Sequence, residues 1–465
     1  MKRGLIFLAL CTASVAALIV AAVLALWATL APAGGTWALP LRARILGRDF
    51  QREASVPVLL RLATHPLAVR LIDGRQVETA QGRWRLRSDT PRGLTATCAP
   101  CRVQIAALGP LPLQLDRVQL GIQADGADQY RGTLQLGAAP HTLTLHWRGR
   151  FERDGTMQLN AELPSTALAD AVRVFSSTLP ERDTVQVEGR LAATFSARLP
   201  RTAASPWQLQ PRVEGFAVGG LGTERLLDLQ RPAACRAGSD AANDSITGWL
   251  PRAVVAAEDQ RFFEHPGYDL AALTDAWQQN QQAGAALVGA STITQQLAKL
   301  VVTGDERSAT RKLRELLYAV EMERTLGKAR ILQLYLALAP WGEGVCGAER
   351  AVRVHLGLRD ASAIGPVAAA WQASHLPAPD ALLHAEQDRG EIDQERVARV
   401  IQGLRPMNLA RRENAQAQML LWSPPALRRP HEARPAATQA SHEPSAPAPL
   451  ESPTIVSPGA AANDP

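Results

Sequence analysis

The hydrophobic period of this chain changes once, after Ala233, and that change decides what it can fold into. From about Thr36 to Arg231 the pattern is that of strands. Leu143, Leu145, Trp147, Gly149 and Phe151 alternate with their neighbours, Asp154-Gly155 supplies a hairpin turn, and Met157, Leu159 and Ala161 resume the pattern. Val185, Val187, Gly189, Leu191, Ala193 and Phe195 repeat it. Alternation of this kind belongs to strands with one buried face, so residues 36–232 are expected to form a largely antiparallel β domain. No constellation of catalytic residue types occurs in it, which reads as a spacer or interaction module, with lipid or partner binding along an open sheet as the alternative. From Ile246 to about Leu409 the period becomes helical, with turn signals at Gly284, Gly289, Gly327 and Gly342. A mainly α domain is expected over 240–409. Residues 423–465 are rich in Pro, Ala and Ser and cannot bury enough surface to offset their ordering entropy, so a disordered tail is expected there.

The N-terminus bears on the compartment. Lys2 and Arg3 precede a run from Gly4 to Gly35 without a charged residue, densest in apolar side chains from Leu5 to Leu30. About 20 apolar residues span a bilayer, whereas the core of a cleaved signal is about 7–15 residues. The length favours an uncleaved transmembrane anchor over residues 1–35, against a signal cut near Ala31-Pro32-Ala33. The basic flank places the N-terminus in the cytoplasm and the rest of the chain outside the cytoplasmic (inner) membrane, in the periplasm. A formal net charge of +6 suits an anionic membrane or an anionic substrate. No Lys/Arg block with interleaved aromatics occurs, so no nucleic-acid partner is expected. Of the five cysteines, Cys11 lies within the apolar run. Cys98-Ala-Pro-Cys101 lacks a second pair or His cluster to complete a zinc site, and in an oxidising compartment it reads as a disulfide. Cys235–Cys346 is the weaker second pairing.

Three segments of the helical region carry chemistry. The first runs from Ala256 to Asp269. If it is helical to Phe263, Val254 and Phe262 lie one turn from Glu258 on the same face. A carboxylate on an apolar stripe is partly desolvated and suited to proton transfer; the plain alternative is an acidic residue complementing a helix dipole. In the second, Gly289-Ala-Ser-Thr-Ile-Thr-Gln-Gln-Leu-Ala-Lys299, hydroxyls open a helix and two amides and an ammonium follow. That set suits a phosphate or pyrophosphate, or else a simple N-cap. In the third, Arg307 to Glu315, the apolar stripe is Leu313, Leu316, Leu317 and Val320. Glu315 is then expected on the opposite side, one turn after Arg311: either a second cleft carboxylate beside cations or a solvated ion pair.

Together the three segments closely resemble glycosyltransferase family 51, the peptidoglycan glycosyltransferase domain of penicillin-binding proteins and monofunctional transglycosylases. The matching motifs are Glu-Asp-x-x-Phe-x-x-His-x-Gly at 258–267, Gly-Ala-Ser-Thr-x-Thr-Gln-Gln at 289–296 and Arg-Lys-x-x-Glu at 311–315. The resemblance covers about Asp240 to Leu409 and none of the β domain. It implies a lysozyme-like helical fold. Glu258 would be the base that takes the proton of the acceptor sugar 4-hydroxyl, and Glu315 the second acidic residue, near pyrophosphate or a divalent metal (Mg or Mn). Substrate positions would be Asp259, Phe262, His265, Ser291, Thr292, Thr294, Gln295, Gln296, Lys299, Arg307, Arg311 and Lys312. No cofactor is implied as a requirement. The partners implied are lipid II, the nascent glycan strand, the bilayer, and a separate transpeptidase or other cell-wall synthesis protein. Residues Asp269 to Val288 match the family's mobile jaw.

Trp341-Gly-Glu-Gly-Val-Cys-Gly-Ala-Glu349 is similar to the monofunctional branch. Gln333 and Ala337 stand where the family usually has Glu and Asn, and Leu300 replaces a common Asn. Neither Ser-x-x-Lys nor Lys-Thr-Gly occurs, so the acyl-transfer signature is absent. The competing readings are a catalytically weakened scaffold and a lytic transglycosylase that cuts the same polymer. A cleaving enzyme has no pyrophosphate to hold, which disfavours the last.

Overall fold

Residues 38–45, 48–103, 112–175, 179–200, 207–229, 247–281, 289–306 and 308–428 are described in a computed structural model. The expected anchor, Arg307, Cys235, and the tail beyond residue 428 lie outside these residues. A hairpin comes first: β1 (Ala38–Ile45) pairs with β2 (Arg48–Ser55) antiparallel, bringing Ala38 opposite Ser55. Two short helices follow, α1 (Val56–Ala63) and α2 (Pro66–Ile72).

The strands then build one sheet. They are β3 (Gln76–Thr79), β4 (Gly82–Thr90), β5 (Gly93–Cys98), β8 (Val118–Ala124), β9 (Gln129–Ala138), β10 (His141–Phe151), β11 (Met157–Ala167), β12 (Gln186–Leu199) and β13 (Gln208–Gly219). Their spatial order, β13-β12-β11-β10-β9-β8-β5-β4-β3, is a nine-stranded antiparallel meander. Its one detour is the small pair β6 (Cys101–Val103) and β7 (Leu113–Leu115). The expected hairpin is present at Asp154-Gly155, with Phe151 opposite Met157. Register puts Leu143 opposite Leu136 and Leu145 opposite Leu134, so the alternating apolar residues share one face. Helix α3 (Leu168–Phe175) covers part of that face through Ala171 and Val174. Helix α1 covers another part, packing Val56 and Leu60 on Tyr130, Phe151 and Met157. Cys98 and Cys101 form a disulfide at the β5–β6 turn, and both are buried.

The second region is helical: α4 (Trp249–Glu258), α5 (Leu270–Gln279), α6 (Ile293–Ala298), α7 (Ala309–Thr325), α8 (Gly327–Leu338), α9 (Ala348–Leu356), α10 (Pro366–Ser374), α11 (Pro379–Arg389), α12 (Gln394–Gly403) and α13 (Leu409–Met419). Helix thus continues past Leu409. The chain stays packed to residue 428, because Pro425–Arg428 forms a turn that buries Ala426. Cys346 is disulfide-bonded, while the expected partner, Cys235, lies outside the described residues.

The β domain does not stand off from the helices as a spacer. Val172, Leu179, Val185, Val218, Leu221 and Leu226 share one core with Leu250, Leu317 and Met322. Polar ties close the seam. Arg314 donates to Glu181 through Nε at 2.9 Å and Nη2 at 2.5 Å, with the Tyr318 hydroxyl on the same carboxylate at 3.1 Å. The amide of Leu221 donates to Glu321 at 3.1 Å. Past the end of α5, Gln281 accepts from the Trp207 amide at 2.6 Å and donates to its carbonyl at 2.8 Å.

Candidate active site

Helix α4 ends at Glu258, five residues before the expected Phe263. Asp259 leaves helical geometry at φ −161° because its carboxylate is used elsewhere: it bonds His265 Nε2 at 2.9 Å and accepts the Ile293 amide at 3.0 Å. Asp259 and His265 are thereby buried struts between the first and second segments. Phe262 is not one turn along the helix from Glu258. It is fully buried, with the Lys328 ammonium 4.4 Å from its ring centroid. Gly267 follows at φ +91°, where an added Cβ would meet the Ala319 carbonyl at 2.7 Å, so the turn requires glycine.

At the end of α4, Glu258 Oε2 accepts from Gln296 Nε2 at 2.7 Å, and Tyr335 donates to Gln296 Oε1 at 2.6 Å. Glu258 Oε1 is buried and has no hydrogen-bond partner among the described residues. Burial raises the pKa of this carboxyl and the neighbouring Asp259 adds to the rise, against the Gln296 hydrogen bond. Burial and the nearby Glu258 also hold the Tyr335 hydroxyl well above its ordinary value, so it stays a donor and fixes which way the Gln296 amide points.

The second segment divides in two. Thr292 caps α6 and forms a reciprocal capping box with Gln295, and its hydroxyl donates to the Gly267 carbonyl at 2.7 Å. Thr294 donates to Glu323 at 2.5 Å. Thr292, Thr294 and Gln295 are therefore buried scaffold, and α6 projects Gln296 alone onto Glu258. Lys299 points into a different contact, an ion pair with Asp305 at 2.6 Å beside the π-helical turn Lys299–Thr303.

Before the helix cap, Ser291 accepts from Lys312 Nζ at 2.6 Å, and the same ammonium lies 2.8 Å from Glu315 Oε2. Arg311 Nη1 takes the other oxygen, Oε1. Of the two readings, Glu315 is not the solvated ion pair: it is 1% exposed, enclosed by its two cations. With both oxygens engaged, this donor set does not fit a divalent metal at Glu315, and among the described residues no group of three His, Cys, Asp or Glu could hold one. The sequence reading missed Tyr335 as a site residue. Its apolar neighbours Leu334 and Leu336 mark it as core, and nothing local signals that its hydroxyl reaches 39 residues back to Gln296.

The site is a half-buried carboxylate with one oxygen unpartnered among the described residues, held by Gln296 on the segment whose Ser291 meets the Lys312–Glu315–Arg311 cluster, in a helical domain fused to an open sheet. Residues 234–405 match the family model described as Transglycosylase. The matched residues are those of the helical region, where the motifs similar to glycosyltransferase family 51 lie. Among curated proteins the chain is similar to "Biosynthetic peptidoglycan transglycosylase" of Nitrosomonas eutropha, at 43% identity over 136 residues. Proteins of the same description from Cupriavidus pinatubonensis and Ralstonia nicotianae are 45% and 46% identical over 136 residues. Each match covers 29% of this chain and 54–58% of the relative, so the chain spans about half the length of these relatives. The sheet, residues 76–219, lies outside the family match.

Proposed function

We propose that the chain is a peptidoglycan glycosyltransferase that polymerises lipid II into β-1,4-linked glycan. The observation that carries this reading is the Glu258 carboxylate, oriented through one oxygen by Gln296 while the other has no partner among the described residues. Such an oxygen can take a proton from an incoming hydroxyl, and its raised pKa strengthens it as a base. The acceptor 4-hydroxyl loses its proton to Glu258 as its oxygen bonds to the donor anomeric carbon from the face opposite the leaving group. The bond from that carbon to the polyprenyl pyrophosphate breaks, the pyrophosphate leaves with the electron pair, and the configuration inverts. Arg311 and Lys312 carry positive charge where the negative charge develops; Glu315 and Ser291 hold the two cations apart and in place.

The apolar run at residues 4–35 supports anchoring in the cytoplasmic membrane with the folded domains outside, facing the lipid-linked substrate. That run lies outside the described residues, among which no helix is long and apolar enough to cross a membrane. Without an acyl-transfer motif, cross-linking falls to a separate enzyme. Purified protein given labelled lipid II should form polymer, and Glu258→Gln should not. Absence of polymer from the parent, where a control enzyme works, overturns the proposal.

A further inference from the structure

The β1–β2 hairpin returns the chain to where its described part begins: Ala38 pairs with Ser55, the residue that opens α1. Only Thr36 and Trp37 separate Ala38 from Gly35, where the expected anchor ends. At this place α1 and α2 expose leucines. Leu62 is 39% exposed, Leu67 65% and Leu71 74%. Leu67 and Leu71 are one turn apart on α2, whose buried Val69 faces the other way. Arg70 and Arg75 are exposed beside them.

Single exposed leucines are ordinary; these are distinguished by position. Helix α1 packs on Phe151 and Met157, and Met157 pairs with Leu199 at the end of β12. Trp207, at the entry to β13, holds Gln281 just past α5. Across strands spaced about 4.8 Å apart, α1 and the end of α5 therefore sit at the same end of the sheet, roughly 15–20 Å from each other. The segment around α5 exposes Leu273 and Phe263.

We infer that the leucines of α1 and α2 dock on the surface of an anionic phospholipid bilayer. They would form a second membrane contact that turns this end of the sheet, and with it the end of α5, toward the lipid. The inference rests on the proposed anchor. A bilayer is the partner that the uncharged run delivers to within a few residues of the patch. Leucines flanked by arginines suit the boundary between acyl chains and anionic headgroups.

The test uses the full chain with Cys11→Ser, its disulfides intact. An environment-sensitive fluorophore is attached at Leu71→Cys, at Ala17→Cys within the apolar run, or at Leu421→Cys, which is 92% exposed on the helical domain. Each is reconstituted in phosphatidylcholine/phosphatidylglycerol vesicles with or without doxyl-labelled lipid. The inference expects quenching at positions 17 and 71 and none at 421, and loss of quenching at 71 when Leu67→Asp is added. Quenching at 17 without quenching at 71 overturns the docking and leaves the anchor standing. No quenching at either overturns the anchor reading, and the docking with it. Equal quenching at 421, or quenching at 71 that survives Leu67→Asp, also overturns the docking, since proximity alone would then explain it.

Discussion

Replacing Gln296 by methionine keeps the length of the side chain and removes the one hydrogen bond that Glu258 accepts among the described residues. In the parent, burial favours the protonated acid, Asp259 adds to that, and the Gln296 amide at 2.7 Å opposes both. Hydrogen bonds to charged groups contribute about 1.5–3 kcal/mol, so losing this one lowers the ionised fraction of Glu258 about 10- to 150-fold where the group is mostly protonated. A base acts only when ionised. The acid limb of the pH–rate profile should therefore move to higher pH, with rates below the limb falling by that factor and recovering at alkaline pH. The assay is polymer formation from labelled lipid II across pH, alongside circular dichroism to establish folding. A folded Gln296→Met enzyme with the parent's acid limb would refute the assignment of Glu258 as base. A uniform loss at every pH would reassign Gln296 to substrate binding.

Glu258→Gln should abolish polymerisation and raise the melting temperature at neutral pH, because the raised folded-state pKa means that ionisation opposes folding. Any stability from the protonated acid is present at low pH and lost as pH rises through the folded value, so the variant's advantage should vanish on acidification. Glu181→Ala leaves the mostly buried Arg314 without its carboxylate and should cost about 3 kcal/mol in chemical denaturation. It should still unfold in one transition, because the sheet and helices share a core; two transitions would show that they do not. Glu386 is fully buried, and burial pushes its pKa up, but His375, the Asp393 amide and the Trp371 indole outweigh this and hold it low. Its stabilisation is present above the ordinary carboxylate range and lost as pH falls through the depressed folded value. Glu386→Ala should therefore cost about 3–5 kcal/mol near neutrality, and less below about pH 4, read by urea denaturation at both.

The sequence carried the parts of the fold that follow from one-sided burial. Strands β10, β11 and β12 were legible because their apolar residues share a single face, and α7 because its stripe persists over several turns. Helices α1, α2 and α3 were not, being only seven or eight residues long and lying between strands of similar composition. The end of α4 was misread for a different reason. Asp259 turns out of the helix to meet His265 and the Ile293 amide, partners that exist only once the chain is folded. The same holds for Glu315, whose burial is set by Arg311 and Lys312 closing over it, and for Tyr335, whose reach to Gln296 is tertiary. Motif order identified the segments that meet; it did not separate Thr292, Thr294 and Gln295, which build the scaffold, from Gln296, which touches the carboxylate.

The seam between sheet and helices bears on how such a chain is made. Strands next to each other in sequence are mostly neighbours in the sheet, so most of the meander can form as it emerges during synthesis. Its last part cannot be completed then. Val218, Leu221 and Leu226 belong to a core that also needs Leu317 and Met322, some hundred positions later, and the Leu221 amide must wait for Glu321. Until that moment the newborn sheet presents an unfinished border, a natural place for a chaperone to bind. By the same token, the helical half cannot be lifted out and transplanted without carrying that border with it.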